Sequence, residues 1–275
     1  MEDSISIIVP AWNEERYVLK TSKFLSRVEL PFKYSEIIFV AGGTDNTFKI
    51  YNKIKLNNFN KIITLKQTAD DFKSGALIKG LKEAKGDYIT LIDADVFVSP
   101  NLAIEISKTL KKYDAACCNF IPMIRKGFWY NYYKLFKLIW AFNPYDLNSL
   151  IGGATISLKR DVLEEIGIES FFSGKTTAGV DYYMGLILKK HNKSIGFVKN
   201  TRVIIPRPNN LKDFIKDQRR WLTAFISLHG ENKKFIMSNL VLDFLHCFFP
   251  PLIILSNFKK LMKISKKKKS KIKSS

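Results

Sequence analysis

The sequence predicts an α/β fold in which a mostly parallel central sheet is flanked by helices. Three observations lead there. Short β-branched runs alternate with stretches of helical periodicity over the first hundred residues, the pattern of βαβ units joined by right-handed crossovers. The segments PAWNEE, AGGTDNT and DADV each follow one of those runs, and ligands of such sheets bind at the carboxyl ends of the strands. The 275 residues are 46% hydrophobic, enough for a sizeable core and too apolar for a disordered chain.

Taken in order, Ile5 to Val9 (ISIIV) reads as a buried parallel strand closed by Pro10, and a helical stretch from Glu15 to Arg27 follows. Glu36 to Val40 (EIIFV) is a second strand ended by AGGTDNT. Thr47 to Lys55 is helical, and Lys61 to Leu65 (KIITL) is a third strand. Ser74 to Ala84 has apolar positions at helical spacing and is stopped by Gly86, after which Asp87 to Ile92 forms a fourth strand ending at Asp93. Beyond about residue 125 the pattern changes. Phe128 to Phe142 mixes aromatics with lysine and suits either an interfacial helix or the core of a helical insert. A turn at Gly152-Gly153 then leads into a strand and a helix reaching Gly167. A helix from Gly179 to Lys190, a strand at Ile195 to Val198 and a helix carrying DQRRW complete the pattern.

The formal net charge is +20, and nine of the lysines lie in the last 18 residues, FKKLMKISKKKKSKIKSS, which contain no acid. No aromatic follows Phe258 to stack on a base, and an apolar stretch lies just upstream. An anionic membrane surface therefore fits the tail better than nucleic acid does; a solvated tail that aids solubility is the other reading. Cys117, Cys118 and Cys247 give neither a disulfide framework nor a CxxC metal site, which points to a reducing compartment. The acidic start MEDSISIIVP has no positive region followed by an apolar run, so the chain is expected to begin in the cytoplasm.

The chemistry centres on Asp93-Ala94-Asp95. On an extended backbone its two carboxylates point the same way and offer hard oxygen ligands to one Mg2+ or Mn2+, whose open positions a diphosphate can fill. Such pairs also occur as loop or capping carboxylates, and the position after an apolar strand is what favours a metal here. His191, in a KKHNK turn, reads as solvated, His229 could reach a diphosphate, and His246 lies in an apolar stretch.

With their neighbours, these residues resemble the family 2 glycosyltransferases, which have the GT-A fold. The resemblance runs from Ile5 to about Trp221. It rests on IIVPAWNEE, GGTDNT, SGALIKGLKEAKGDYITLIDADV, GGATISLKRDVLEEIG, VDYYMGLILKK and QRRW, in that order. It implies an inverting single displacement at the anomeric carbon of a nucleotide-sugar. Pro10, Ala11, Trp12 and Glu14 would border base and ribose, with the Trp12 ring against the base. Asp45 would close the nucleotide pocket or serve as a local cap. Asp93 would face ribose or metal, and Asp95 would be the main metal ligand. Asp181 would be the general base, although the family's Glu-Asp pair reads Val180-Asp181 here. Arg219 and Arg220 would fork to the diphosphate, with Trp221 flooring the acceptor. Two departures stand out. Val40 and Ala41 replace an acidic pair that many members carry before the glycine turn, leaving uridine, guanosine and thymidine donors open. Asp217 takes the glutamine position of the QxxRW pattern found in members that polymerise sugars.

Leu240 to Leu255 (LVLDFLHCFFPPLIIL) is shorter than the roughly 20 residues of a spanning helix and is broken by Pro250-Pro251, so it reads as re-entrant or interfacial, or as short helices packed on the catalytic domain. The expected organisation is a GT-A catalytic domain over residues 1–230, an apolar helical membrane-associated segment over 231–257 and a polybasic tail over 258–275. The expected function is metal-dependent transfer of a sugar to a lipid-linked or growing-glycan acceptor at the cytoplasmic membrane face, with no nucleic-acid partner. A polyprenyl-phosphate sugar synthase and a non-catalytic membrane-binding adaptor are the alternatives.

Overall fold

The computed structural model describes residues 3–141, 154–172 and 179–229. The Gly152-Gly153 turn, His246, the 231–257 segment and the lysine tail lie outside these residues, as does the side chain of His229. Among the described residues, eight strands form one sheet: β1 (Ser4–Trp12), β2 (Tyr34–Gly42), β3 (Lys61–Lys66), β4 (Tyr88–Ile92), β5 (Phe97–Val98), β6 (Ala115–Pro122), β7 (Thr155–Lys159) and β8 (Ile195–Ile205). Their order is β3-β2-β1-β4-β7-β6-β8-β5. The helices are α1 (Glu15–Leu25), α2 (Thr47–Tyr51), α3 (Phe72–Glu83), α4 (Leu102–Leu110), α5 (Phe128–Ala141), α6 (Arg160–Ile166), α7 (Val180–Lys190) and α8 (Leu211–His229).

The expected parallel sheet holds for β1 to β4, but the second half corrects it. β7 runs antiparallel to both β4 and β6, and β5 runs antiparallel to β8, so the sheet is mixed. The reason is connectivity: β7 enters β4's free edge from the opposite end, and β6 pairs parallel to β8 on its far side. β1 also outruns the strand expected to stop at Pro10. Pro10 and Ala11 continue to pair with Val40 and Ala41 of β2, while pairing with β4 ends at Ile8, so the proline lies past the last residue that β4 engages.

Alternation along β1 divides the core between the two faces of the sheet. Ile5, Ile7, Val9 and Ala11 pack with Val18 and Leu25 of α1 and with Leu102 and Ile106 of α4. Ile8 turns the other way, onto Leu77 and Leu81 of α3, Leu163 of α6 and Met184 of α7. Helices thus cover both faces, which is why the central strands read as continuous apolar runs.

One polar group is built into this core. Glu36 of β2 is fully buried, and its carboxylate accepts from Ser6 Oγ (2.7 Å), from the Lys85 N–H (2.6 Å) and from Tyr34 Oη (2.9 Å). Ser6 Oγ in turn accepts the Gly86 N–H at 2.7 Å. Gly86 is required by space, since a Cβ there would lie 2.4 Å from Ser6 N and 2.5 Å from Ile5 C. The carboxylate therefore ties β1, β2 and the turn into β4 at the end of the sheet opposite the chemical motifs. Glu36→Ala leaves three donors without their acceptor and should lower the unfolding free energy by roughly 3 kcal/mol or more. Urea denaturation checks this, and a midpoint equal to the unmodified protein's would refute the assigned role.

Candidate active site

The carboxyl ends of β1 and β2 are laced into one ledge. Asn13, at φ 56°, accepts the Thr44 N–H at its Oδ1 (2.7 Å), and the Glu14 N–H donates to Thr47 Oγ1 (2.8 Å). Glu15 accepts from Asn46 N and Nδ2 at 2.9 and 3.0 Å. Asp45 accepts the Glu15 N–H at one oxygen (3.1 Å) and the Thr47 N–H at the other (3.0 Å). Burial works to raise its pKa, but the bonds from Thr47 and Glu15 hold it below the usual carboxylate range. Asp45 is thus the local cap between the two loops. Trp12 is 37% exposed, its ring beside Gly42, where a Cβ would lie 2.9 Å from Trp12 Cζ3. Pro10 and Ala11, expected to border base and ribose, are buried strand residues, because β1 runs on to Trp12.

Asp93 and Asp95 follow β4, held by a turn in which the Val96 N–H donates to the Asp93 carbonyl (3.1 Å) and Thr21 Oγ1 of α1 donates to the Ala94 carbonyl (2.5 Å). Glu14 joins them electrostatically. Burial first, then the charges of Asp95, Asp93 and Asp45, push its pKa to about 7. Asp95 is raised as well, by burial and then by Asp93. Tyr51 of α2 lies buried beneath, stacked on Phe39 at 4.1 Å; burial and then the fields of Glu14 and Asp95 raise its pKa.

Sequence reasoning missed the cation that answers this cluster. Lys73, at the start of α3, pairs with Asp93 at 2.5 Å. Burial opposes its charge, yet Asp93, Asp181 and Asp95 together hold its pKa above the ordinary lysine value. A small cleft between α3, β4 and α7 is lined by Lys73, Asp93 and Asp181, with Leu77 and Leu91 as part of its apolar wall. Asp181 is in the first turn of α7 after Gly179 (φ 73°). Burial raises its pKa, the Lys73 ammonium lowers it, and Asp93 raises it again, with a net upward shift that suits a proton acceptor.

The far wall comes from α8 and the loop before it. Arg220 pairs with Asp217 at 2.8 Å, lies 5.6 Å from the ring centre of half-buried Trp221, and lowers the pKa of Asp95 through its field. Arg219 is exposed, about 100° around the helix from Arg220. It is not brought into the site. A second residue that sequence reasoning missed takes that place. Arg207 lies 3.6 Å from Asp217 and 4.7 Å from the Phe120 ring centre, and it feels the field of Asp95. Its flanking residues, Pro206 and Pro208, were the available signal for a fixed side chain.

Among the described residues no group of three or more His, Cys, Asp and Glu side chains is arranged to hold a metal ion. The donor set nevertheless fits a divalent cation with ligand positions left for a diphosphate. Asp93 and Asp95 are hard oxygen donors in one turn, and their mutual repulsion, together with that on Glu14, is what a second cation beside Lys73 would relieve.

Known proteins are similar to this chain in sequence and in fold. The family model described as "Glycosyl transferase family 2" matches residues 6–167, and "Glycosyl transferase family group 2" matches residues 88–265. The chain is 34% identical over 128 residues to a poly-beta-1,6-N-acetyl-D-glucosamine synthase of Staphylococcus aureus, covering 45% of this chain and 29% of that protein. It is 26% identical over 250 residues to a probable glycosyltransferase of Sulfolobus acidocaldarius, covering 86% and 52%. The chain thus spans about half or less of the curated relatives it matches. The mannosyltransferase PcManGT of Pyrobaculum calidifontis, solved with GDP-Man and Mn2+, superposes with a TM-score of 0.60 at 18% identity, over 76% of this chain and 59% of that one. S. aureus TarS 1-349 with UDP-GlcNAc gives 0.54 at 17% identity, over 82% and 67%. At these identities the superpositions establish the fold, a GT-A architecture.

The raised pKa of Glu14 has a sign that can be measured. Its folded value of about 7 exceeds the ordinary 4.5, so between those values the folded chain binds more protons and stability falls as pH rises. In buffer free of divalent cations, Glu14→Gln should remove this loss, raising Tm relative to the unmodified protein at pH 8 more than at pH 4.5. Differential scanning calorimetry at the two pH values checks it; a constant difference would contradict it.

Proposed function

The chain belongs to glycosyl transferase family 2, and on that basis we propose that it moves a sugar from a nucleoside-diphosphate donor to a lipid-linked or growing-glycan acceptor at the cytoplasmic face of a membrane. One observation carries the reading: Lys73 couples Asp93, on the donor side, to Asp181, on the acceptor side, within one cleft at the carboxyl edge of the sheet. The ledge of Trp12 to Thr47 presents an exposed indole on which a base can stack. Asp181, with its raised pKa, takes the proton of the acceptor hydroxyl as that oxygen attacks the anomeric carbon from the face opposite the diphosphate. Lys73 and Arg220 oppose the negative charge that grows on the departing diphosphate, and Trp221 offers a flat surface to the acceptor. Asp95 with Asp93 would hold Mg2+ or Mn2+, which when bound supplies further charge neutralisation on the diphosphate.

The named ligands of the structural neighbours include both a uridine and a guanosine donor, so the test uses a panel. UDP, GDP and dTDP are titrated with and without Mn2+, and the corresponding sugars are assayed for transfer or donor hydrolysis. At least one nucleotide should bind, and Asp95→Ala should abolish the Mn2+-dependent part. Asp181→Asn should slow turnover by roughly 10²–10⁴ while nucleotide affinity is kept. Binding of none of the three sinks the reading, and an Asp181→Asn protein of near-full activity removes Asp181 as the base.

A further inference from the structure

α8 carries an apolar stripe that the domain does not use. Leu211 is 64% exposed, Ile215 43%, Leu222 37% and Ile226 43%. Their spacings of four, seven and four residues return to one side of a helix of about 3.6 residues per turn. The opposite side is already engaged. Phe214 packs on Trp129 and Tyr132 of α5 at 5.1 and 5.4 Å, and Asp217 pairs with Arg207 and Arg220. Exposed Lys212, Lys216 and Arg219 form a parallel row along one flank of the stripe, while the helix's two acids, Asp213 and Asp217, lie off it.

We propose that this outer face of α8 docks on an anionic lipid surface, lying flat with Leu211, Ile215, Leu222 and Ile226 among the acyl chains and Lys212, Lys216 and Arg219 at the headgroups. Charge decides the partner. A row of cations beside an apolar stripe that carries no acid is complementary to an anionic interface, the form taken by helices that lie in the bilayer plane. The same chemistry recurs further along the chain, in LVLDFLHCFFPPLIIL and the nine-lysine tail. Docking this way sets Arg220 and Trp221 about one helix diameter, roughly 10 Å, from the headgroups, where a lipid-linked acceptor would present its sugar. The inference rests on the membrane-face reading of the acceptor and adds a contact independent of the lysine tail.

The test is co-sedimentation of the full chain with vesicles of phosphatidylcholine, alone or mixed with phosphatidylserine. Four proteins are compared: the unmodified chain, Leu211→Gln/Ile215→Gln/Leu222→Gln/Ile226→Gln, a chain ended after Asn257, and the two changes combined. The quadruple variant should lose about tenfold or more in partitioning to the mixed vesicles in either background. Unchanged partitioning overturns the proposal. Partitioning kept while a dimer is lost in light scattering assigns the stripe to a second copy; partitioning kept while Tm falls assigns it to residues 240–255. Either result overturns it too. If the quadruple variant does not fold, Ile215→Trp serves instead: brominated lipid should quench its emission more than that of the unmodified chain, and equal quenching refutes docking. Loss of partitioning in a protein that binds no nucleotide would sink the glycosyl-transfer reading and leave this one standing.

Discussion

The buried carboxylate of Glu36 is the interaction on which the geometry of the site depends, although it lies at the far end of the sheet. Its acceptance of donors from Ser6, Lys85 and Tyr34 fixes β1 against β2 and against the entry to β4. Register then runs forward without slack, with Ser6 opposite both Glu36 and Ile89 and Ile8 opposite Ile38 and Leu91. A slip of one residue would reverse every side chain of β1 and break the Ser6 bond to the carboxylate. Because the register holds, Trp12 emerges beside Gly42, and Glu14 emerges within the field of Asp93 and Asp95.

What emerges there is electrostatically costly to the folded chain. Glu14, Asp95 and Asp181 all have raised pKa values, and Lys73 is the cation common to their fields. A site selected for stability alone would not gather four carboxylates around one ammonium. A site that receives a diphosphate with its cation gains from that repulsion, because the incoming charges relieve it. Arg207 and Arg220 reach Asp95 from the α8 side, so the cations come from separate elements around the acids. The net charge of +20 therefore describes no single surface, since the centre of the molecule is locally acidic.

The central strands were legible because both of their faces are buried, which leaves runs such as IIV at Ile7 to Val9 and IIFV at Ile37 to Val40 unbroken by polar residues. β6 was not, because its first half is Ala-Ala-Cys-Cys, small residues without the β-branched signature, packed beneath α4 and against β7. Its absence from the reading is also why the sheet was expected to be mostly parallel. α4 was passed over as well: its apolar residues gather in the first turn, Leu102 to Ile104, with only Ile106 and Leu110 after them. In the site, Asp93 and Asp95 were found because they form a DxD pair directly after an apolar strand, and Asp181 because the family resemblance implies it. Lys73 was not, since one lysine among so many carries no signal until Asp93 is seen beside it. Arg219 and Arg220 looked equivalent in sequence, and only the helix's rotation separates them.

The ledge formed by Asn13 to Glu15 and Thr44 to Thr47 has a consequence for selectivity. Its backbone is already cross-linked by hydrogen bonds before any ligand arrives, so the entropy of ordering it is lost once, during folding, and is not charged again at each encounter. A surface of this kind discriminates by refusal: a ligand of the wrong outline meets a wall that does not yield. The ring contacts between α5 and α8 involve no strand residue, so single side chains there can be substituted without disturbing the sheet. The architecture therefore sets a fixed ledge carried by the strands beside a helical contact that single side-chain changes can alter.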